Sequence, residues 1–402
     1  MFWQICIAIL IGIAVGIFTG LAPGIHVNLV AALMISISGI LLTFTTPFML
    51  AIFIVGVGLT HTFLDAIPSI FLGAPDSDHA LSVLPGHRML LNGHGFEAVK
   101  LTVIGSLFSA LVCILSIPVI LPFLSKIYLM IEPFMGYILI IAVTYIALIE
   151  KGFYKKLVSI ILLIMSGLLG LIIFDIPTLN QPLLAMLSGL FGTSTLIISL
   201  NDKNSIPKQK FDESEPLDKK ETSKTIAAAL FSGSLTGIFP GLGAAHAAII
   251  GMQVVGQISV RGFLMLIGGI NTVNFIFSVA TFYTLQKARN GAIVAISKIM
   301  ESISLLQLSI ILLSIVITAG IATILTLRIA KVFAIAVEKV DYQILVMSII
   351  GLITILVCLF DGLIGLFVLV TSTFMGMLPA FFSAKRSILM GCLLIPVIIY
   401  LI

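Results

Sequence analysis

Charge is what this sequence has least of. Asp, Glu, Lys and Arg together make up 9 % of the 402 residues, against roughly 25 % in a soluble domain. Water is therefore not the main solvent of this surface. Cysteine is scarce too. Cys6, Cys113, Cys358 and Cys392 each lie in an apolar run with no close partner, which argues against a disulfide framework and against cysteine metal ligation. The net charge of +4 is scattered, so no nucleic-acid partner is expected. No GxSxG, HExxH or P-loop pattern occurs, and no enzyme is expected. The opening MFWQICIAIL has no positive stretch ahead of its apolar residues, so it reads as a first membrane segment and not as a signal peptide.

What fills the chain instead is apolar sequence, 60 % of all residues. Runs of about 20 apolar residues cross a bilayer as helices. They cover 3–22, 27–46, 48–72, 99–122, 134–150, 155–174 and 183–200, and recur after residue 224. Helices and closed barrels alone satisfy every backbone group in lipid, and these runs do not alternate as barrel strands do. The fold class is all-α integral membrane protein, expected as multi-pass in the plasma membrane of a prokaryote.

One segment is different. Residues 201–224, NDKNSIPKQKFDESEPLDKKETSK, hold six Lys and six acidic residues and are expected to form a solvated cytoplasmic linker. They divide the chain into a first repeat, 1–200, and a second, 225–402. TGLAPGIHVN (Thr19 to Asn28) in the first matches TGIFPGLGAA (Thr236 to Ala245) in the second at Thr, Gly, Pro and Gly. Broken helices at corresponding places in two halves point to a transporter's binding site. Placing Lys151, Lys155, Lys156, the linker, Arg328, Lys331, Lys339, Lys385 and Arg386 on the cytoplasmic side makes the halves inverted in topology, with about seven segments each. Lys287, Arg289 and Lys298 then lie outside, against the rule.

Polar residues concentrate in three stretches. In the first, a helix starting at Pro23-Gly24 would offer free N–H groups and a partial positive charge to an anion, with His26 and Asn28 at hand. Pro240-Gly241, Gly243 and His246 would supply the facing half of the cradle. The plainer reading of both histidines is helix-to-helix hydrogen bonding. The second stretch, 59–97, contains His61 and Asp65 on one helix face. Ionisable groups at membrane depth are functional candidates. Its loop 73–98 is expected to leave His87, His94 and Glu97 in water, and its spacing matches no closed zinc pattern, so no metal is expected. The third, 268–291, occupies the same place in the second half, with Thr60 and His61 corresponding roughly to Asn271 and Thr272. Thr60, His61, Asp65, Asn271 and Asn274 are the candidate contacts for a coupling ion, Na+ or H+. No other cofactor is expected.

GLAPGIHVN, GIFPGLGAAHA and IFLGAPDSDHALSVLPGHRMLLNGHGFEAVKLTVIGS resemble the large membrane subunit of tripartite tricarboxylate transporters, over most of the chain. The resemblance implies an ion-driven secondary transporter for carboxylates, alternating access about a site framed by Pro23, Gly24, Pro240 and Gly241. It also implies a small membrane subunit and an extracytoplasmic binding protein as partners; a homodimer is a further expectation. The loop motif falls on Pro75, Asp76, Ser77, Asp78 and Arg88. There APDSD replaces the usual Pro-Gly, and His26 and Asn28 replace small or hydroxyl residues, a PGIHxN form similar to an archaeal branch. Paired Pro-Gly starts also resemble those of polyprenyl-phosphate translocases, whose ligand is an anionic lipid headgroup. That is the alternative function.

Overall fold

A computed structural model of the chain describes residues 2–22, 34–35, 37–73, 83–148, 152–200, 206–211, 218–238 and 243–402. Among these there is no strand. The helices of the first repeat are α1 (Phe2–Leu21), α2 (Pro47–Leu64), α3 (Ala66–Phe71), α4 (Val83–Leu91), α5 (Gly95–Ile131), α6 (Met135–Leu148), α7 (Phe153–Phe174), α8 (Pro182–Leu187) and α9 (Ser194–Leu200). Those of the second are α10 (Lys219–Ile238), α11 (Ala244–Val255), α12 (Val260–Leu285), α13 (Gly291–Ile299), α14 (Leu305–Val337), α15 (Tyr342–Phe381) and α16 (Gly391–Leu401). Seven helical stretches among the described residues are long and apolar enough to cross a membrane, and 182–198 and 386–401 form shorter apolar helices.

Why the helices begin where they do is local chemistry. Thr46 caps α2 through Met49 N at 3.4 Å, with Pro47 in the first turn. Ser259 caps α12 through Gly262 N at 3.1 Å. Ser304 and Gln307 form a reciprocal capping box on α14, which satisfies two end donors at once. α15 spans 40 residues, but Gly362, at φ 61° and ψ −149°, divides it into two helices. That backbone geometry is open to glycine. The preceding Asp361 carboxylate accepts from Asn180 N at 2.6 Å and Gln181 N at 2.7 Å, tying this break to the start of α8.

The core is assembled on small residues. Gly12, Gly16 and Gly20 stand four apart on α1 and face α2. A Cβ at Gly16 would lie 2.6 Å from Thr60 Cβ, and one at Gly20 2.9 Å from Leu64 Cβ. The two helices run parallel, since contacts advance together along both. The second repeat copies this arrangement: a Cβ at Gly233 on α10 would lie 2.7 Å from Val273 Cβ on α12, and one at Gly237 2.5 Å from Phe277 Cβ. Small residues at four-residue spacing let membrane helices approach closely where there is no hydrophobic drive between them.

These contacts correct the expected correspondence between the halves. Gly16 meets Thr60 where Gly233 meets Val273, so Thr60 matches Val273 and His61 matches Asn274. The match to Asn271 and Thr272 read from sequence is two residues out of register, because sequence likeness fades after the Pro-Gly segments and only the packing fixes it.

Helices also pack across the repeats. α5 lies along α12 with Ser106 Oγ donating to Gly268 O at 2.9 Å. A Cβ at Gly105 would overlap the Met265 carbonyl, and one at Gly268 the Thr102 carbonyl. Reciprocally, α14 packs on α2, α7 on α16, and α15 on the π-helical turn Ser188–Thr193.

Candidate functional site

Both matched Pro-Gly segments fall just past the end of a described helix, after Leu21 of α1 and Ile238 of α10. Pro23, Gly24, His26, Asn28, Pro240 and Gly241 themselves lie outside the described residues, as do Pro75, Asp76, Ser77 and Asp78. Gly243 immediately precedes α11, its carbonyl accepting from Ala247 N at 3.2 Å. His246 lies on α11, and its side chain is outside the described set.

The helix ends before the two breaks are alike. Thr19 Oγ1 donates to Gly16 O at 3.3 Å, and Thr236 Oγ1 to Gly233 O at 2.7 Å. In the first half, His61 Nδ1 lies 3.2 Å from Thr19 Oγ1. In the second half, Thr281 Oγ1 donates to Gly237 O at 2.7 Å, close to the end of α10.

Polar side chains follow on the two helices behind these ends. Thr60, His61 and Asp65 are 0 %, 2 % and 4 % exposed, and Asn271 is 2 % exposed. Thr60 Oγ1 is buried without a hydrogen-bond partner among the described residues. Asn274 is half-buried, its Oδ1 accepting from Ser278 Oγ at 3.4 Å. α2 and α12 approach each other at Gly58, where a Cβ would lie 2.6 Å from the Phe275 ring. Thr60, His61, Asn271 and Asn274 all sit within about a turn of that approach. Neutral oxygens and an imidazole thus lie close to this approach of α2 and α12, with the buried Asp65 carboxylate about two turns further along the chain. Among the described residues no three His, Cys, Asp or Glu gather to hold a metal ion.

The stretch expected to be a solvated loop is not one where it is described. His87 on α4 is 3 % exposed, with Nδ1 3.1 Å from Ile70 O and Nε2 3.1 Å from Tyr342 Oη. Burial holds its pKa below the usual histidine value, partly offset by the Ile70 carbonyl. Glu97, 9 % exposed, pairs with Arg261 Nη2 at 2.6 Å and His94 Nδ1 at 3.1 Å. Sequence reading missed this because the partners, Tyr342 and Arg261, are supplied by the other half of the chain. Arg88 is exposed on α4.

At the opposite end of α5 and α12 a second polar cluster closes the same helix pair. Lys287 Nζ donates to Tyr128 Oη at 2.8 Å and to Glu132 at 3.3 Å, and Arg289 Nη2 to Tyr128 Oη at 3.2 Å. Tyr128 Oη in turn donates to Glu132. Two of the three cations that break the inside-positive rule, Lys287 and Arg289, are therefore neutralised in part by one carboxylate and an aromatic face.

The linker expected to be solvated is docked in part. Among its described residues, Gln209 is 2 % exposed and its amide is fully used. Nε2 donates to Leu90 O at 3.0 Å and Pro207 O at 2.8 Å, and Oε1 accepts from Gly95 N at 2.8 Å. The signal was present as Ile206, Pro207 and Phe211, apolar residues standing in polar surroundings.

Comparison with known proteins agrees with this architecture. The profile of the family described as "Tripartite tricarboxylate transporter TctA family" matches residues 6–391. The chain is similar to the uncharacterised protein MJ1079 of Methanocaldococcus jannaschii, 28 % identical over 366 residues that make up 87 % of each chain. No solved structure matches it. A helical, multi-pass membrane chain, covered almost end to end by that profile, belongs to the tripartite tricarboxylate transporter TctA family, a family of membrane transporters.

Proposed function

We propose that this chain is the translocating subunit of an ion-coupled secondary transporter for an organic anion such as a di- or tricarboxylate. It works by alternating access between two inverted repeats. The observation that carries the reading is a reversed copy. α1 with α2, and α10 with α12, are equivalent parallel pairs, and in each the first helix is followed in sequence by a Pro-Gly pair. Yet the end of α3 lies beside the start of α5, where Phe71 is 3.1 Å from a Cβ at Gly95, while the start of α12 lies there too, through Glu97 and Arg261. The first pair runs toward that face and the second runs away from it. Such a reversal is the signature of an inverted repeat, with its site near the midplane.

Lys331 and the docked linker share that face, so it is cytoplasmic by the positive-inside rule. The anion binds between the helix starts at Pro23-Gly24 and Pro240-Gly241, drawn by free N–H groups and helix dipoles. Thr60, His61, Asp65, Asn271 and Asn274 supply the contacts for Na+ or H+. A small membrane subunit and an extracytoplasmic binding protein deliver the substrate.

Ligand-dependent thermal stabilisation of the purified protein tests the reading. A ligand at 100 times its Kd stabilises the folded state by about 2.7 kcal/mol. Stabilisation by a di- or tricarboxylate that requires sodium or low pH is expected. Stabilisation by a short-chain polyprenyl phosphate alone would replace symport with lipid-carrier translocation.

A further inference from the structure

The linker between the repeats does more than connect them. Residues 206–211 lie in a groove between the α4–α5 corner of the first repeat and the end of α14 in the second. On one side Gln209 fastens to Leu90 O and Gly95 N, and Lys210 N donates to Gly93 O at 2.8 Å. On the other, Gln209 N donates to Glu338 Oε1 at 2.7 Å, and Lys331 Nζ stands 5.2 Å from the Phe211 ring centre. Phe211 also meets Phe96 edge-on, ring centres 5.4 Å apart.

The groove is shaped for this segment. Gly93 has φ +82°, and a Cβ there would lie 3.0 Å from Lys208 O; one at Gly95 would lie 2.9 Å from Gln209 Oε1. The NGHG of the loop motif is thus the seat of the linker, a role that the transport site does not account for. Gly95 N belongs to the first turn of α5, whose N–H groups have no partner within the helix. Gln209 supplies one from outside.

We infer that residues 206–211 are a cytoplasmic strap, which holds the α4–α5 corner to the end of α14 and must let go for the cytoplasmic side to open. The inference rests on the alternating-access reading for its consequence, though not for the docking itself. Hydrogen bonds of Gln209 and Lys210 hold the strap together with the buried Ile206 and the Phe211 ring, and no helix or sheet ladder secures it. Elements held this way open locally while the packed helices beneath stay closed.

Hydrogen exchange of the intact protein in nanodiscs tests the docking without any substrate. Peptides covering 206–211 should be protected, and should exchange in a faster phase than those of α5 and α14. Gln209→Ala should lower the strap's protection at least tenfold and leave α5 and α14 unchanged, while Lys208→Ala, at an exposed position, should leave all three unchanged. Exchange at the rate of a free peptide in the unaltered chain, or exchange only in step with α5 and α14, would overturn the strap.

A second arm tests release. In a background freed of the native cysteines, Phe96→Cys and Phe211→Cys are joined by a short bis-maleimide in proteoliposomes that take up citrate. Cross-linking should stop uptake, while either single variant treated alike should not; undiminished uptake with the strap tied would overturn its need to open. If the unaltered chain transports no carboxylate with the small subunit and binding protein supplied, the transport reading fails, and the exchange result stands or falls separately.

Discussion

A single methyl group at Gly105 should separate the two repeats' most closely packed helices. A Cβ there would overlap the Met265 carbonyl, and α12 cannot yield locally because Gly268, nearby on the same helix, already touches the Thr102 backbone. The helices must move apart, which strains the Ser106 Oγ bond to Gly268 O, 2.9 Å long. Overpacking of this kind costs about 1–3 kcal/mol, and the weakened hydrogen bond adds roughly 1 kcal/mol. Better helix propensity returns at most about 1 kcal/mol. The net loss is on the order of 1–3 kcal/mol for Gly105→Ala. Gly320→Ala on α14 is the matched control, since nothing lies within 4 Å of its Cβ; there only the propensity gain remains. Thermal unfolding of both variants in the same detergent should give a midpoint for Gly105→Ala several degrees below the unaltered chain, and one for Gly320→Ala at or above it. Equal midpoints would refute the packing of α5 on α12.

Other variants probe other parts of the account. Gly24→Val and Gly241→Val should each abolish carboxylate uptake while membrane insertion and yield stay normal, because a branched side chain blocks backbone approach to the anion; normal uptake by both would remove the helix-end cradle. Arg261→Met strands the Glu97 carboxylate. Breaking a buried pair costs about 3–5 kcal/mol, and the partial exposure of this one (side chains 22 % and 11 %) reduces that to roughly 1–3 kcal/mol. Glu97→Gln with Arg261→Met should recover part of the loss in thermal unfolding. His87 has its folded pKa lowered, so the unfolded chain takes up the proton first as pH falls. Its contribution to stability is whole above the unfolded value of about 6.5 and is lost as pH drops below it. The drop in melting temperature between pH 7 and 5.5 should shrink in His87→Gln.

Much of this architecture was legible in the chain. The membrane class follows from charge content, and one paired feature from Thr19-Gly20 against Thr236-Gly237. Those residues match because the same glycine-packed pair of helices recurs. The register behind the breaks was less legible. Thr60 faces Gly16 as Val273 faces Gly233, and a polar residue matched to an apolar one leaves no trace in an alignment by eye. His87 and Glu97 looked solvated because their neighbours in sequence are polar; what buries them is Tyr342 and Arg261, more than 160 residues away. The linker misled for the opposite reason. Its lysines and acids set its overall character, while one short stretch, Ile206 to Phe211 with Gln209 at its centre, anchors it.

The most direct test of the central claim is uptake of radiolabelled citrate and succinate by proteoliposomes holding the purified chain, with inward sodium or proton gradients imposed in turn. The account predicts accumulation of at least one carboxylate that depends on one of the two gradients and collapses when that gradient is dissipated. No carboxylate flux under either gradient, with the extracytoplasmic binding protein and small subunit supplied, together with accelerated transbilayer movement of a polyprenyl phosphate, would contradict it.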